Sequence, residues 1–210
     1  MMFGIGDGIE FRFDEHRRLR FSVPGEFLPL AAWLHTDAQP DAGQLARLIA
    51  LLERAKAEDR TWYGNGCSLD LVNDVVLLES LYGRWERAVL PESLFWPVLH
   101  GLREFVAGAA AEPGLRRPAD YPEVFRAAGT RRSPVNGRVS YVDHTYFPAG
   151  WRIEDVHRSA ELAWQSPELV VDEKTGAWSG MAGPLEIAGY CDPATGEVQT
   201  YFPVLFRTSP

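Results

Sequence analysis

The chain has 210 residues, of which 46% are hydrophobic and 12% aromatic, and its formal net charge is -8 at pH 7. This apolar content excludes a disordered chain, and the negative charge argues against general nucleic-acid affinity and against DNA as a partner, because phosphate binding relies on Lys and Arg. The charge fits either a basic protein partner or a surface that only maintains solubility.

The length and the cysteine content narrow the class of protein further. A chain of this size forms one large or two small cores. No apolar run reaches the roughly 18 residues that span a bilayer, and the N-terminus lacks the order of a secretory signal. Cys67 and Cys191 are far apart, so neither a disulfide framework nor a zinc site is indicated. We expect a soluble, cytoplasmic protein without membrane contact, metal or cofactor.

We predict two small α/β units, of which the first, residues 1–107, has the element order ββαββα. Its alternating apolar residues between positions 11 and 23 indicate a hairpin. Asp41 precedes a stretch whose apolar residues recur at helical spacing, which predicts an amphipathic helix. Residues 68–79 are typical of a second hairpin, and a second helix begins at Pro91.

Residues 108–122 are rich in Ala, Gly and Pro and are the predicted linker. In the second unit, residues 123–210, two strands flank the turn at Asn136-Gly137, because Asn-Gly supplies the positive φ of a tight hairpin. A helix follows Trp151. Three further strands are expected at 177–180, 185–190 and 198–206. The predicted fold class is α+β, with an antiparallel sheet and one main helix in the second unit.

Several short motifs occur together in the second unit. They are Phe125-Arg126-Ala127, the turn at 134–137, Thr145-Tyr146-Phe147-Pro148 with Trp151, Gly180, Gly189-Tyr190 and Thr200-Tyr201-Phe202-Pro203. Over residues 123–207 these motifs resemble the C-terminal portion of bacterial EndoU nucleases. The resemblance implies the toxic domain of a contact-dependent or related polymorphic toxin. The first unit is similar in layout to the small immunity proteins found beside such toxins.

The resemblance implies metal-independent RNA cleavage by two histidines and a lysine, with a 2'-hydroxyl nucleophile and a cyclic phosphate product. Imidazoles suit this proton transfer because their pKa lies near neutrality, and the lysine stabilises charge on the phosphate. The histidines of the chain are His16, His35, His100, His144 and His157. None lies between positions 101 and 143, where the first family histidine would precede the matching strand. The proton-transferring pair is therefore missing from the pattern.

His144 stands near the position where the resemblance implies the lysine, although an imidazole is only partly charged near neutral pH. The two lysines of the chain, Lys56 and Lys174, match no catalytic position. The family also has a Thr or Ser, and a Tyr two residues later, that contact the base. Here Thr200 matches, but Tyr201 is displaced by one residue, so strand alternation turns it away from Thr200.

An arginine-rich segment between positions 116 and 138 is a second candidate site. It has six arginines against Asp120 and Glu123, a local excess of four positive charges. The candidate binding residues are Arg116, Arg117, Arg131, Arg132 and Arg138. Such a cluster binds phosphate or an acidic protein patch, or forms a solvated basic face.

Three functions remain open from the sequence. The favoured one is a pseudoenzyme, an EndoU-like protein that binds a toxin or related protein in interbacterial competition. The second is a divergent endoribonuclease that takes RNA, cuts at uridines, and uses His144, Thr200 and Tyr201 with His100 or His157. The third is an unrelated housekeeping role on an inherited fold.

Overall fold

Three β-sheets and four α-helices make up the part of the chain that the computed structural model describes, residues 2–5 and 8–206. The α+β fold class predicted from the sequence is confirmed. Within those residues, no helix has both the length and the apolar character needed to cross a membrane.

The first sheet is antiparallel, with its strands in chain order. These strands are β1 (Met2–Ile5), β2 (Ile9–Phe13) and β3 (Leu19–Ser22). Ile9, Phe11 and Leu19 are buried, whereas Glu10 and Arg12 of β2 are exposed, which is the period-two pattern of the sequence. The predicted hairpin of β2 and β3 is confirmed.

Three helices follow in the first half of the chain. They are α1 (Leu28–Trp33), α2 (Ala42–Ala57) and α3 (Glu92–Ala110). Both predicted helices, α2 and α3, are confirmed. The Asp41 side chain accepts a hydrogen bond from the Gln44 N–H at 2.8 Å, which satisfies a free donor at the start of α2. After α1 a π-helical turn, Leu34–Ala38, has no sequence pattern that would predict it, and four of its five residues are buried.

The second sheet has six strands in the order β7-β6-β5-β4-β9-β8. Its strands are β4 (Trp62–Tyr63), β5 (Cys67–Val72), β6 (Val75–Ser80), β7 (Ala88–Pro91), β8 (Phe125–Arg132) and β9 (Val139–Tyr146). Neighbouring strands are antiparallel except β4 and β9, which pair in parallel with Trp62 opposite Tyr141. Strands from residues 1–107 and from residues 123–210 therefore form one continuous sheet.

The third sheet is antiparallel, and α4 (Ile153–Trp164) packs on one of its faces. Its strands are β10 (Val170–Val171), β11 (Ala177–Ala182), β12 (Leu185–Cys191) and β13 (Val198–Pro203). The helix approaches so closely that a Cβ on Gly180 would overlap the Ala163 carbonyl. The Trp164 and Trp178 rings also meet edge to face, with centroids 5.2 Å apart.

Both sequence units contribute to the larger core. Tyr141, Ala177 and Tyr190 of the second unit belong to the same buried cluster as α2 and α3. The segment predicted as a linker is partly helical, since α3 extends to Ala110. Its Tyr121 is buried in the core under α4 and donates a hydrogen bond to the Val204 carbonyl at 2.6 Å. The two sequence units are therefore packed together rather than joined by a simple connector.

Candidate functional site

The hairpin of β8 and β9 carries several of the candidate residues, and its two faces differ. Successive side chains of a strand point to opposite faces. On one face, Arg126 and Asp143 lie beside α2. On the other face, Arg131, His144 and Tyr146 are partly or fully exposed. The second face therefore exposes candidate residues, whereas Arg126 and Asp143 on the first face are buried.

Arg126 and Asp143 form a buried ion pair that fastens β8 to the rest of the molecule. Two guanidinium N–H groups each lie 2.8 Å from a carboxylate oxygen, and the side chains are 4% and 3% exposed. Arg126 also donates to the Ala38 carbonyl at 3.0 Å. A bidentate pair of this kind fixes geometry. Arg126 therefore has a structural role, which its place in the arginine-rich segment did not indicate.

His144 opens onto a pocket of about 410 Å³ on the other face of the hairpin. The remaining lining residues are Tyr63, Leu81, Arg131, Ser133, Pro134, Ser140 and Val142. The His144 ring meets the Tyr146 ring edge-on, with centroids 6.4 Å apart. Burial lowers the pKa of His144, an effect that Asp143 opposes and Arg126 reinforces. A neutral imidazole near pH 7 supplies no fixed positive charge for a phosphate.

Thr200 and Tyr201 face opposite sides of the third sheet. Thr200 lies directly across from Tyr190, so its side chain shares the face on which Tyr190 is fully buried. The Tyr201 hydroxyl lies on the α4 side, 2.6 Å from Nδ1 of His157. Burial raises the pKa of Tyr201, and the charge of Glu161 raises it further. The expected displacement of Tyr201 away from Thr200 is thus present in the strand register.

The five histidines lie in five different parts of the molecule. His16 is beside Glu15, His35 is beside Glu186, His100 is beside Trp96, His144 is on β9 and His157 is on α4. Among the described residues, no hydrogen bond, ion pair or ring contact joins two of them, and none joins His144 to Thr200 or Tyr201. A base and an acid that serve one phosphate have to converge on it. These contacts do not bring such a pair together.

The arginine-rich segment divides into two groups. Arg116 is exposed, whereas Arg117 donates to two backbone carbonyls and contacts Glu123 at 3.2 Å. The other candidate arginines are exposed at the far end of the β8–β9 hairpin: Arg131, Arg132 and Arg138. Arg47 on α2 lines a groove beside β8 and adds a further exposed positive charge near this strand. Sequence reasoning missed it because Arg47 lies some 80 positions away from the others.

A buried polar network joins the π-helical turn to the third sheet. Asp37 accepts hydrogen bonds from the Thr36 hydroxyl at 2.6 Å and from the Gly66 N–H at 3.0 Å. The Tyr190 hydroxyl lies 3.1 Å from Thr36 Oγ1 and 3.5 Å from Cys67 Sγ. Burial raises the pKa of Asp37 to about 6 and raises the pKa of the Cys67 thiol well above its usual value. The thiol is therefore protonated and buried, so the network is structural.

Gln39 links the first unit to the strands that carry His144 and Thr200. Its amide nitrogen lies 3.4 Å from both Thr145 Oγ1 and the Pro203 carbonyl, and its amide oxygen accepts from the Leu205 N–H at 2.9 Å. The Asn65 amide oxygen accepts from the Thr145 N–H at 3.0 Å. The first unit therefore bonds to β9 and to the end of β13. No pattern in the sequence marks these two amides.

Comparison with known proteins gives no match, whether with family models, with curated proteins or with solved structures. The EndoU resemblance therefore depends on the short motifs of the second unit alone.

Proposed function

We propose that this chain is a non-catalytic EndoU-like protein of a bacterial toxin–immunity system and that it acts by binding another protein. The observation that carries the proposal is that, among the described residues, no hydrogen bond or ring contact joins His144 to Thr200 or Tyr201, and that Thr200 and Tyr201 face opposite sides of the third sheet. EndoU-type cleavage needs two imidazoles and a cation around one phosphate. His144 opens onto a pocket whose lining has no second histidine, and the Tyr201 hydroxyl instead contacts His157 of α4 near the surface.

The contacts of the first unit also support the proposal. Gln39 and Asn65 bond to the strands β9 and β13, and the fully buried Tyr190 packs on Tyr82 with ring centroids 5.7 Å apart. Thr200 shares the face of Tyr190. An immunity-like unit that covers this face limits access for RNA to the strand that carries Thr200. This arrangement favours a protein that acts by binding through its surface rather than by catalysis.

One observation favours the enzyme instead. The Tyr201 hydroxyl and Nδ1 of His157 are 2.6 Å apart near the surface, and a phenol and an imidazole at this distance can exchange a proton. The second candidate function is therefore a divergent metal-independent endoribonuclease that cuts RNA at uridines and leaves cyclic phosphate ends.

Incubation of the purified chain with a uridine-containing RNA in EDTA separates the two functions. The proposal expects intact RNA even at high protein concentration. Cleavage that yields cyclic phosphate ends, and that is lost in His157→Ala and Tyr201→Phe but kept in the surface control Asp120→Asn, contradicts the proposal and supports the enzyme. The same variants change unfolding midpoints little, because His157 and Tyr201 are partly exposed.

The binding half of the proposal has its own test. A tagged copy expressed in its native host is purified at low salt, and stoichiometric partners are identified by mass spectrometry. We expect a nuclease toxin or another protein of the same competition system. Recovery of RNA alone, or of no stoichiometric protein over repeated growth conditions, counts against it.

A further inference from the structure

Strand β8 is, with β7, one of the two edge strands of the six-stranded sheet. It ends the strand order, and all of its residues from Phe125 to Arg132 are exposed except Arg126. An edge strand presents unpaired N–H and C=O groups that an extended chain can bond. At eight residues, β8 is long enough to bind such a chain along its length.

The hydrogen-bond pattern identifies which backbone groups of β8 point outward. In an antiparallel pair, hydrogen-bonded and non-hydrogen-bonded positions alternate. The Ser133 N–H bonds to the Arg138 carbonyl at 2.8 Å, so alternation directs the groups of residues 131, 129 and 127 inward to β9. Tyr141 lies opposite Thr130, and its N–H donates to the Thr61 carbonyl on the side away from β8. Thr130 and Tyr141 are therefore a non-hydrogen-bonded pair, as the alternation requires. The N–H groups of Ala128 and Thr130 therefore point outward.

Two of the grooves beside this edge lie on opposite faces of the sheet. On one side is the pocket of about 410 Å³ with Arg131 and His144. On the other side is a groove of about 240 Å³ between β8 and α2, lined in part by Arg47 and Ala128. Side chains of a strand added to β8 point alternately to the two faces. The edge thus offers backbone bonds together with room for side chains, which are the requirements of β-strand addition.

Charge decides what kind of chain fits. Four exposed arginines surround the edge, and within the described part of the chain none of them forms an ion pair: Arg47, Arg131, Arg132 and Arg138. The only acidic residue lining the two grooves is Asp143, which is already paired with Arg126. Pairing two copies through β8 would bring these positive charges together and is disfavoured. An occupant with carboxylates suits the site.

We propose that β8 accepts an extended, acidic segment of a partner protein as a seventh strand of the sheet. The inference rests on the proposed binding function and assigns to it a surface and a partner chemistry. The backbone of Ala128 and Thr130 supplies the pairing, and the arginines beside the two faces favour glutamate or aspartate side chains on either face of the segment.

The test uses the whole chain labelled with ¹⁵N and a capped octapeptide that alternates Glu with Val. We expect the amide signals of Ala128 and Thr130 to shift on titration and their hydrogen exchange to slow. A matched peptide with Lys in place of Glu shifts neither signal. If the acidic peptide leaves both amides unchanged, or shifts signals elsewhere in preference, the inference is wrong.

Two pairs of variants separate strand addition from general charge attraction. Ala128→Pro removes one outward N–H at a position that an edge strand tolerates, and we expect about tenfold weaker peptide binding from the lost pairing. Ala128→Val keeps the N–H and keeps the binding. Arg131→Glu weakens binding several-fold, whereas Arg116→Glu, at an exposed position that lines neither groove, does not. Equal effects of Ala128→Pro and Ala128→Val contradict strand addition.

The remaining occupants give different results. If the amide signals of Ala128 and Thr130 shift with protein concentration alone, a second copy of the chain occupies the edge. If oligouridine shifts these signals more than the acidic peptide does, the ligand is RNA. Either result overturns the inference. RNA cleavage in EDTA, by contrast, contradicts the proposed function but does not bear on whether β8 binds the acidic peptide.

Discussion

The buried carboxyl of Asp37 gives the sharpest test of the packing between the two sequence units. Burial outweighs the hydrogen bonds from Thr36, Gly66 and Cys67 and the charge of Arg126, and it raises the pKa of Asp37 from 3.8 to about 6. The folded chain therefore holds this proton more tightly than the unfolded chain. The stability from this group is fully present below pH 3.8 and is lost as the pH rises through about 6.

The loss amounts to about 3 kcal/mol for a shift of about two pKa units, and about 2 kcal/mol of it falls between about pH 4.5 and pH 7.5. Asp37→Asn removes this dependence because an amide does not titrate. The amide also fits: its oxygen can accept from the Gly66 N–H, and its nitrogen can donate to Thr36 Oγ1, whose proton then turns from residue 37 to the Ala32 carbonyl.

The assay is urea unfolding of wild type and Asp37→Asn at several pH values, with the exposed Asp120→Asn as control. Comparison with the variant matters because burial also lowers the pKa of His35 to about 3. The stability from His35 is present above pH 6.5 and is lost as the pH falls, which opposes Asp37 in the same range. We expect Asp37→Asn to gain stability over wild type as the pH rises. A wild-type-to-variant difference that is constant with pH refutes the buried carboxyl.

Two further predictions concern the junction of the units. Gly66→Ala puts a Cβ onto the Tyr190 ring and lowers the free energy of unfolding by about 2 kcal/mol. In the control Gly108→Ala, the new Cβ on α3 meets nothing within 4 Å, and the free energy of unfolding rises by about 0.5 to 1 kcal/mol. Similar effects of the two substitutions in urea unfolding contradict the contact between Gly66 and Tyr190. Arg126→Ala strands a buried carboxylate and costs about 3 to 5 kcal/mol, and adding Asp143→Ala recovers part of that loss. A double variant no more stable than Arg126→Ala argues against the ion pair.

Much of the local structure follows from sequence pattern. The period-two residues of β2 and β3, the Asp41 cap with the apolar stripe of α2, and the Asn136-Gly137 turn each carry a signal within a few residues. Strands such as β4 carry none, because two residues cannot display a period. The parallel pairing of β4 with β9 joins positions about 80 residues apart, so only the tertiary fold determines it.

In the candidate site, too, some features follow from local sequence and others only from the tertiary fold. The shortage of paired histidines and the turn of Tyr201 away from Thr200 follow from residue identities and strand alternation. The burial of Arg126, the contact of Tyr201 with His157 and the position of Arg47 beside β8 depend on packing between distant segments. No spacing rule connects those residues.

The most direct measurement of the central claim is the yield of cyclic phosphate ends from a uridine-containing RNA, followed over long incubation in EDTA for wild type and His144→Lys. His144→Lys restores the cation that the EndoU resemblance implies but leaves the site without converging imidazoles. We expect both proteins to give no more product than a protein-free blank. Product above the blank that is abolished by His157→Ala or Tyr201→Phe would contradict this expectation.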